Sequence, residues 1–383
     1  MRTVAYLTAA RELTEWKSAS VQELIIATKE FSRRGTLTLD EGLALAAEAQ
    51  AQGFAVSLEW DALMEEPRFI ALSRRLESLP FAFKSIRVRD AGAALWVRDH
   101  LRAEIHLLLE AGHHNLLALK SWYQRLGTRL GRVIVSPELP AKTLKLWSQE
   151  FSVPLEVLGL GPLLLFHSPR ALLSKLDSAP EGEEWIAEGA SEESPHKGFP
   201  LYESVHGTLM FHPKDLSILE RWQEIPAAGV AYLRLDHRHE TRPEAVAELA
   251  VFLREPSAEH LALVKAGWSR DWMRGYWDVN KSDVLFDRLT NSHLQQRDLW
   301  CGEVIEGKKE AWLAVRGRGL GLKRGSEIEV ISPLGKVRTL KLHWLKDDAF
   351  QDVEELCDGD VGFVPWTSGS PSKSQLRLVR PVP

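Results

Sequence analysis

VPLEVLGLGPLLLFHSPRALLSKL, residues 153–176, is the stretch on which the reading of this chain turns. An apolar run climbs out of Glu156, passes Gly159 and Gly161, and ends in the polar cluster His167-Ser168-Pro169-Arg170. Its first part, PLEVLGL (154–160), has the composition of a strand. A strand that delivers a Glu, a Ser and an Arg to one end of a sheet is a common way to build a reactive site. Yet no residue of the cluster is an evident nucleophile, and no cysteine lies near it. The stretch is either a working site or a scaffold from which the working groups have gone.

Working outward, similar β-rich runs precede it: VAYLT (4–8), ELIIAT (23–28), FAVSLEW (54–60), SIRVRD (85–90), EIHLLLE (104–110) and RVIVSPEL (132–139). Amphipathic segments separate several of them. Residues 39–52, LDEGLALAAEAQAQ, open at Asp40 and stop at Gly53; the segment Asn115–Leu126 stops at Gly127. Strand–helix alternation argues for parallel pairing. Seven or more runs over roughly 240 residues fit a (β/α) barrel better than an open sheet. The fold class is therefore α/β, a TIM-barrel-like domain followed by a small all-β barrel. In such a barrel the residues just past the strand C-termini form the active face. That places Glu110, His113, His114 and Asn115 at one strand end, Ser136 and Glu138 at another, and the quoted stretch at a third.

Residues 177–198, DSAPEGEEWIAEGASEESPHKG, read as a long acidic loop. The alternation resumes with SVHGTLMF (204–211) and AGVAYLRLD (228–236), each followed by a helical segment. From about Trp300 the character changes. WCGEVIEG, EAWLAVR, SEIEVISP, KVRTLKLHW, DVGFVPW and QLRLVRP are short strands between turns, a barrel of roughly 85 residues. The expected domains are 1–295 and 296–383. No internal repeat is evident.

The bulk numbers agree with a folded protein of two domains: 383 residues, 44% hydrophobic, 26% charged, net charge −5. Most of the 14 tryptophans are expected in cores. Two cysteines, Cys301 and Cys357, cannot make a disulfide framework, a four-thiolate zinc site or a self-contained four-cysteine cluster. So few cysteines suit a reducing cytoplasm. The start, MRTVAYLTAARELTEW, has no signal-peptide pattern, and the longest apolar run falls short of a membrane span.

Each candidate site has a plainer counterpart. Ser168 beside His167 does not form a dyad by itself, because neighbours on a strand point to opposite faces. His113-His114 and His237/His239 carry metal-binding chemistry, but without a helical H-x-x-x-H pattern they read better as polar residues of a barrel mouth, and no metal is assigned. GRGLGLKRG (317–325) lacks the ending and the helix of a phosphate loop. Between Lys308 and Lys346 ten Lys/Arg face three Glu, whereas Asp347–Asp360 holds seven acids and no base. The basic stretch, with Lys308, Lys309, Arg316, Arg318, Lys323 and Arg324, suits RNA phosphates and equally suits pairing with the acidic segment beside it.

Taken in order, these stretches resemble one family. Glu156-Val157…Gly161…Ser168-Pro169-Arg170 is similar to the signature of the U32 "peptidase" family, in which Glu-Val-Phe-Val-His-Gly-Ala-Leu-Cys leads into Tyr-Ser-Gly-Arg-Cys. RVIVSPEL, FHPKDL (211–216), AGVAYLRLDHR (228–238) and SRDWMRGYW (269–277) are similar to further family segments, and the β-rich tail to its C-terminal barrel. The resemblance covers nearly the whole chain. It implies a TIM-barrel-like core carrying a small β-barrel. Some members are described as collagenase-like proteases. Others take part in oxygen-independent hydroxylation of a tRNA uridine, a ribosomal RNA cytidine or the ubiquinone ring, the last as a heterodimer of two members. Those proteins hold an iron–sulfur cluster through cysteines in and after the signature.

Here the signature's cysteine positions fall on Leu164 and Ala171, its glycine before Arg170 on Pro169, and its His on Leu160. A thiolate-held cluster is therefore not expected. What the resemblance leaves as catalytic candidates is Glu156, Ser168, Arg170 and Asp236. Asn115, Ser136, Glu138, Arg234 and Arg238 are ligand-binding candidates around the same mouth. Arginines with a few carboxylates suit an anionic ligand and equally suit a structural ion-pair network. Three functions follow as expectations: an accessory or substrate-presenting subunit beside a cluster-bearing U32 paralogue, acting on tRNA, rRNA or a quinone; a peptidase; or a cluster-free RNA-binding protein.

Overall fold

The computed structural model describes residues 1–79, 81, 83–111, 113–174, 184–190, 197–278, 299–333 and 336–379. The chain divides into two units, Met1–Asn280 and Lys281–Pro383. The boundary expected at 295/296 lies outside the described residues.

In the first unit strands and helices alternate: β1 (Arg2–Tyr6), α1 (Glu12–Ser18), β2 (Glu23–Ile26), α2 (Leu39–Ala51), β3 (Ala55–Trp60), α3 (Glu66–Glu77), β4 (Ser85–Val88), α4 (Ala91–His100), β5 (Glu104–Leu109), α5 (Leu116–Leu126), β6 (Leu130–Val135), α6 (Ala141–Glu150) and β7 (Leu155–Ser168). The antiparallel strands β8 (Trp185–Ala190), β9 (Lys197–Ser204) and β10 (Gly207–Ser217) follow. Then come β11 (Tyr232–Leu235), α7 (Ala245–Arg254), α8 (Ala258–Gly267) and a short β12 (Trp272–Met273). Strands β1 to β7 pair in parallel in chain order, and β11 pairs with both β7 and β1. Eight parallel strands thus close a barrel of the TIM type. Helix α2 starts at Leu39, capped by Thr38 and not by Asp40: the Thr38 hydroxyl accepts the Glu41 N–H while the Glu41 carboxylate accepts the Thr38 N–H, a reciprocal cap. The core between strands and helices includes Trp16, Trp60, Trp147, Trp268 and Trp277, all buried.

The quoted stretch does two jobs. Up to Leu160 it is the seventh barrel strand; beyond, it leaves the barrel and pairs antiparallel with β10. Both glycines sit at the exit. Gly159 is the extra residue where the register against β11 shifts, and a Cβ there would lie 2.5 Å from Leu233. Gly161 has φ +147°, and its Cβ would lie 2.6 Å from the Asp236 carbonyl oxygen. The outcome differs from the sequence reading in two places. SVHGTLMF is no barrel strand: it spans the β9–β10 turn and the start of β10, in an arm that no α-helix follows before β11. The stretch read as an acidic loop contains β8 and the first residues of β9, because WIAEGA alternates in and out of solvent.

The second unit is antiparallel: β13 (Trp300–Lys308), β14 (Trp312–Gly317), β15 (Leu322–Lys323), β16 (Glu327–Ile331), β17 (Val337–Lys341), β18 (Lys346–Asp347), β19 (Glu355–Leu356), β20 (Val361–Pro365) and β21 (Gln375–Leu378). Seven of these form one sheet, a half-barrel around Val304, Leu313, Val315, Ile328 and Leu376, and β15 pairs with β19. Among the described residues no helix is long and apolar enough to cross a membrane.

Candidate functional site

The lower part of the barrel interior is ionic where branched apolar residues usually fill it. Glu156 is fully buried and accepts two hydrogen bonds from Arg87, one of them at 3.0 Å, and one from Arg132 at 2.9 Å. Arg132 reaches on to Glu23 at 2.6 Å and lies 3.4 Å over the Tyr232 ring. Burial alone would raise the Glu156 carboxyl, but Arg87 and Arg132 override it and hold the group far below the carboxylate range. Glu156 is thus sealed into an ion-pair lattice that holds the strands together.

Above this layer, at the C-terminal ends of the strands, lies a cavity of about 110 Å³. Each strand end contributes. From β1 and the loop after β2 come Tyr6, Arg33 and Arg34; from β3, Glu59 and Asp61; from just past β4 and β5, Arg89 and Glu110. From β11 and the residues after it come Arg234, Asp236 and Arg238. The rest of the lining is largely apolar, with Leu158, Leu163 and Leu164 from β7 and Leu209 and Phe211 from β10. The arm is tied over the opening where His206, in the β9–β10 turn, meets the Lys29 carbonyl at 2.7 Å.

The charges pair within the mouth. Arg238 donates to both oxygens of Asp236 at 2.9 and 2.7 Å and to Glu59 at 3.1 Å, and stacks 3.5 Å over Tyr6, whose hydroxyl donates to Glu59. Arg33 holds Asp61 through its backbone N–H and Nε, both at 2.8 Å. Arg234 donates to Glu110. Arg34 has only a 3.4 Å contact to Asp236, already engaged by Arg238, and lies 4.8 Å over the Phe211 ring. Burial, and then Arg238 beside it, push the Arg34 guanidinium down to about 10. Arg89 makes no hydrogen bond or ion pair among the described residues. Burial, and then Arg33, push it below its ordinary value.

Of the residues singled out from sequence, Glu110, Arg234, Asp236 and Arg238 meet at this mouth. The remaining catalytic and ligand-binding candidates do not join them. Glu156 lies in the sealed layer beneath. Ser168 and Arg170 stand outside the barrel, Ser168 twelve residues beyond Glu156 on β7, about 40 Å along an extended strand; the expected meeting of Glu156, Ser168 and Arg170 therefore does not occur. The Ser168 hydroxyl accepts the Arg170 N–H at 3.2 Å while His167 contacts the His206 carbonyl, so no Ser–His dyad forms. Asn115 caps α5 by accepting the Ala118 N–H, Ser136 is buried and accepts the Glu138 N–H, and Glu138 is exposed. None of the three lines the cavity. Tyr6, Arg33, Arg34, Glu59, Asp61 and Arg89 escaped the sequence reading. For Tyr6, Glu59, Asp61 and Arg89 the signal is a polar residue in or just past the end of an apolar strand, as in SLEWD and IRVRD; Arg33 and Arg34 sit further out, in the loop after β2.

In the second unit, Arg316 and Arg318 both face Glu303, Lys323 faces Glu355 at 3.4 Å, and Arg324 faces Glu354 at 3.3 Å. Four of the six cations considered for RNA are thus engaged by carboxylates, two of them by the acidic segment; Lys308 and Lys309 are exposed. Cys301 is buried, which pushes its thiol up to about 12, and Cys357 is exposed.

An iron–sulfur cluster does not fit the barrel residues. Leu164, at one signature cysteine position, lines the cavity with an aliphatic side chain, and Ala171 offers no donor.

The mouth also sets a pH dependence. Burial, then Arg34, push His239 down to about 2, so it stays neutral in the folded protein. Stability from this group is complete above the unfolded value near 6.5 and is lost as pH falls below it. Asp61, Asp236 and Glu156 are also depressed, by their arginine partners, so a steeper loss follows below about pH 4. Burial lowers His106, His167 and His206 as well, so urea denaturation between pH 7.5 and 4 should show the shallow limb, and His239→Asn should reduce it without abolishing it, while sparing the acid limb.

A family model, "Peptidase family U32", matches residues 10–281. Among solved structures, the U32 peptidase Mk0906 is 14% identical, covering 42% of this chain and 69% of its own, with TM-score 0.36. The C-terminal domain of a protein described as a U32 peptidase from Geobacillus thermoleovorans is 13% identical, covering 23% of this chain and 99% of its own, with TM-score 0.21. No curated protein is similar enough to match.

Proposed function

The chain belongs to peptidase family U32, and we propose that it is a member with no iron–sulfur cluster of its own, which holds a substrate at its barrel mouth for a cluster-bearing partner of the same family. The reaction it serves is oxygen-independent hydroxylation, of RNA or of the ubiquinone ring. One observation carries this reading. The mouth is built from groups that bind, arginines and carboxylates in mutual hydrogen bonds, while the signature cysteine position inside it is Leu164. A peptidase would need a nucleophile within reach of a base, and Ser168 and His167 bond to different backbone groups.

The test compares hydroxylated nucleosides of total tRNA and rRNA, and the quinone pool, in the native host with and without this gene. One hydroxylated species should fall to background in the deletion and return with the wild-type gene. Both profiles unchanged under anaerobic growth would defeat the reading.

A further inference from the structure

The mouth is not electrically closed. Five arginines (Arg33, Arg34, Arg89, Arg234 and Arg238) face four carboxylates (Glu59, Asp61, Glu110 and Asp236) across the cavity. Every carboxylate is already engaged: Asp61 by Arg33, Glu110 by Arg234, Glu59 and Asp236 by Arg238. Arg89 makes no direct ion pair or hydrogen bond among the described residues, and the two carboxylates that act on it from further off, Asp61 and Glu110, are held by other arginines. Beside it Arg33, 7% exposed, keeps its Nη1 without a hydrogen-bond partner. A buried guanidinium N–H left unpaired is costly, and one more anion would relieve both arginines. The same cavity is lined by the apolar side chains of Leu158, Leu163, Leu164, Leu209 and Phe211. The free volume of about 110 Å³ is somewhat below that of an engineered apolar cavity, ~150 Å³, that holds one benzene.

We propose that this cavity is a binding site for one small monocarboxylate with an apolar body, its carboxylate against Arg89 and the free Nη1 of Arg33 and its hydrocarbon against the leucines and Phe211. A carboxylate presents two oxygens to a planar guanidinium and brings the single negative charge that the count lacks. This goes beyond the hydroxylation reading: the molecule held here is neither the RNA nor the quinone, and the site does not depend on that reaction.

Titration calorimetry on the full chain tests the proposal, with isobutyrate and benzoate as carboxylate probes, benzamide as a neutral counterpart, and inorganic phosphate and uridine monophosphate as competing chemistries. At least one carboxylate should bind, with benzamide weaker by about tenfold or more, the usual worth of a charge-assisted pair. Arg89→Gln, a change at a half-buried side chain, should weaken carboxylate binding by a similar factor with unfolding unchanged. Leu164→Trp should block it by filling the space; if that variant does not fold, Arg89→Gln still decides. No carboxylate binding, equal binding by Arg89→Gln, or binding of phosphate or the nucleotide alone would overturn the proposal. A bound carboxylate with unaltered RNA and quinone profiles would instead defeat the hydroxylation reading and leave this site standing.

Discussion

Glu156→Ala is expected to lower the unfolding free energy by about 3–5 kcal/mol, the range for breaking a buried ion pair from one side. The carboxylate is fully buried and is the shared acceptor of Arg87 and Arg132, themselves 0% and 2% exposed. Its removal leaves Arg87 with only a 3.9 Å contact to Glu23, in a layer from which water is excluded. Glu156→Gln keeps the volume and one acceptor oxygen, so it should fall between wild type and alanine. Chemical denaturation followed by far-UV circular dichroism measures all three. A near-neutral Glu156→Ala would mean that the residue is not the structural centre of the barrel, and its role as a reacting group would have to be reopened.

Gly161→Val should cost about 3 kcal/mol, combining a backbone strained for any L side chain with a clash that repacking cannot relieve. The residue sits where β7 turns from its parallel neighbour β11 to its antiparallel neighbour β10. A Cβ at this place meets the backbone and side chain of Asp236 at 2.6 and 2.8 Å. The damage should reach the mouth as well, since Asp236 is the carboxylate shared by Arg238 and Arg34. Gly53→Ala is the control: φ is +91°, but nothing lies within 4 Å of its Cβ. It should cost only about 1 kcal/mol. Equal losses for the two variants would show that backbone strain alone matters and that the packing of Asp236 against Gly161 does not.

The eight-stranded barrel was legible because its signals are local. Short β-branched and apolar runs alternate with Ala- and Leu-rich segments ended by Gly53 and Gly127, and parallel strands buried on both faces are written in nearly continuous apolar sequence. The ordered similarity of the signature and AGVAYLRLDHR added the family. The arm was not legible. Residues 204–217 have the composition of any strand, and nothing local states whether the neighbour runs parallel or antiparallel. The site was legible only in part. Charged residues at strand ends can be listed from sequence, but their pairing cannot. Glu156 lies on β7 and Asp236 just past the end of its neighbour β11, yet one is fully buried between Arg87 and Arg132 and the other opens on the cavity. The alternation of hydrophobic segments, together with the positions of glycine and cysteine, thus determined the fold and the want of thiolates at the mouth. Which arginine finds a carboxylate, and that Arg89 makes no direct ion pair among the described residues, only the tertiary structure decided, because ion pairing depends on distances set by strand stagger around the closed barrel, between residues as far apart in sequence as Arg34 and Asp236.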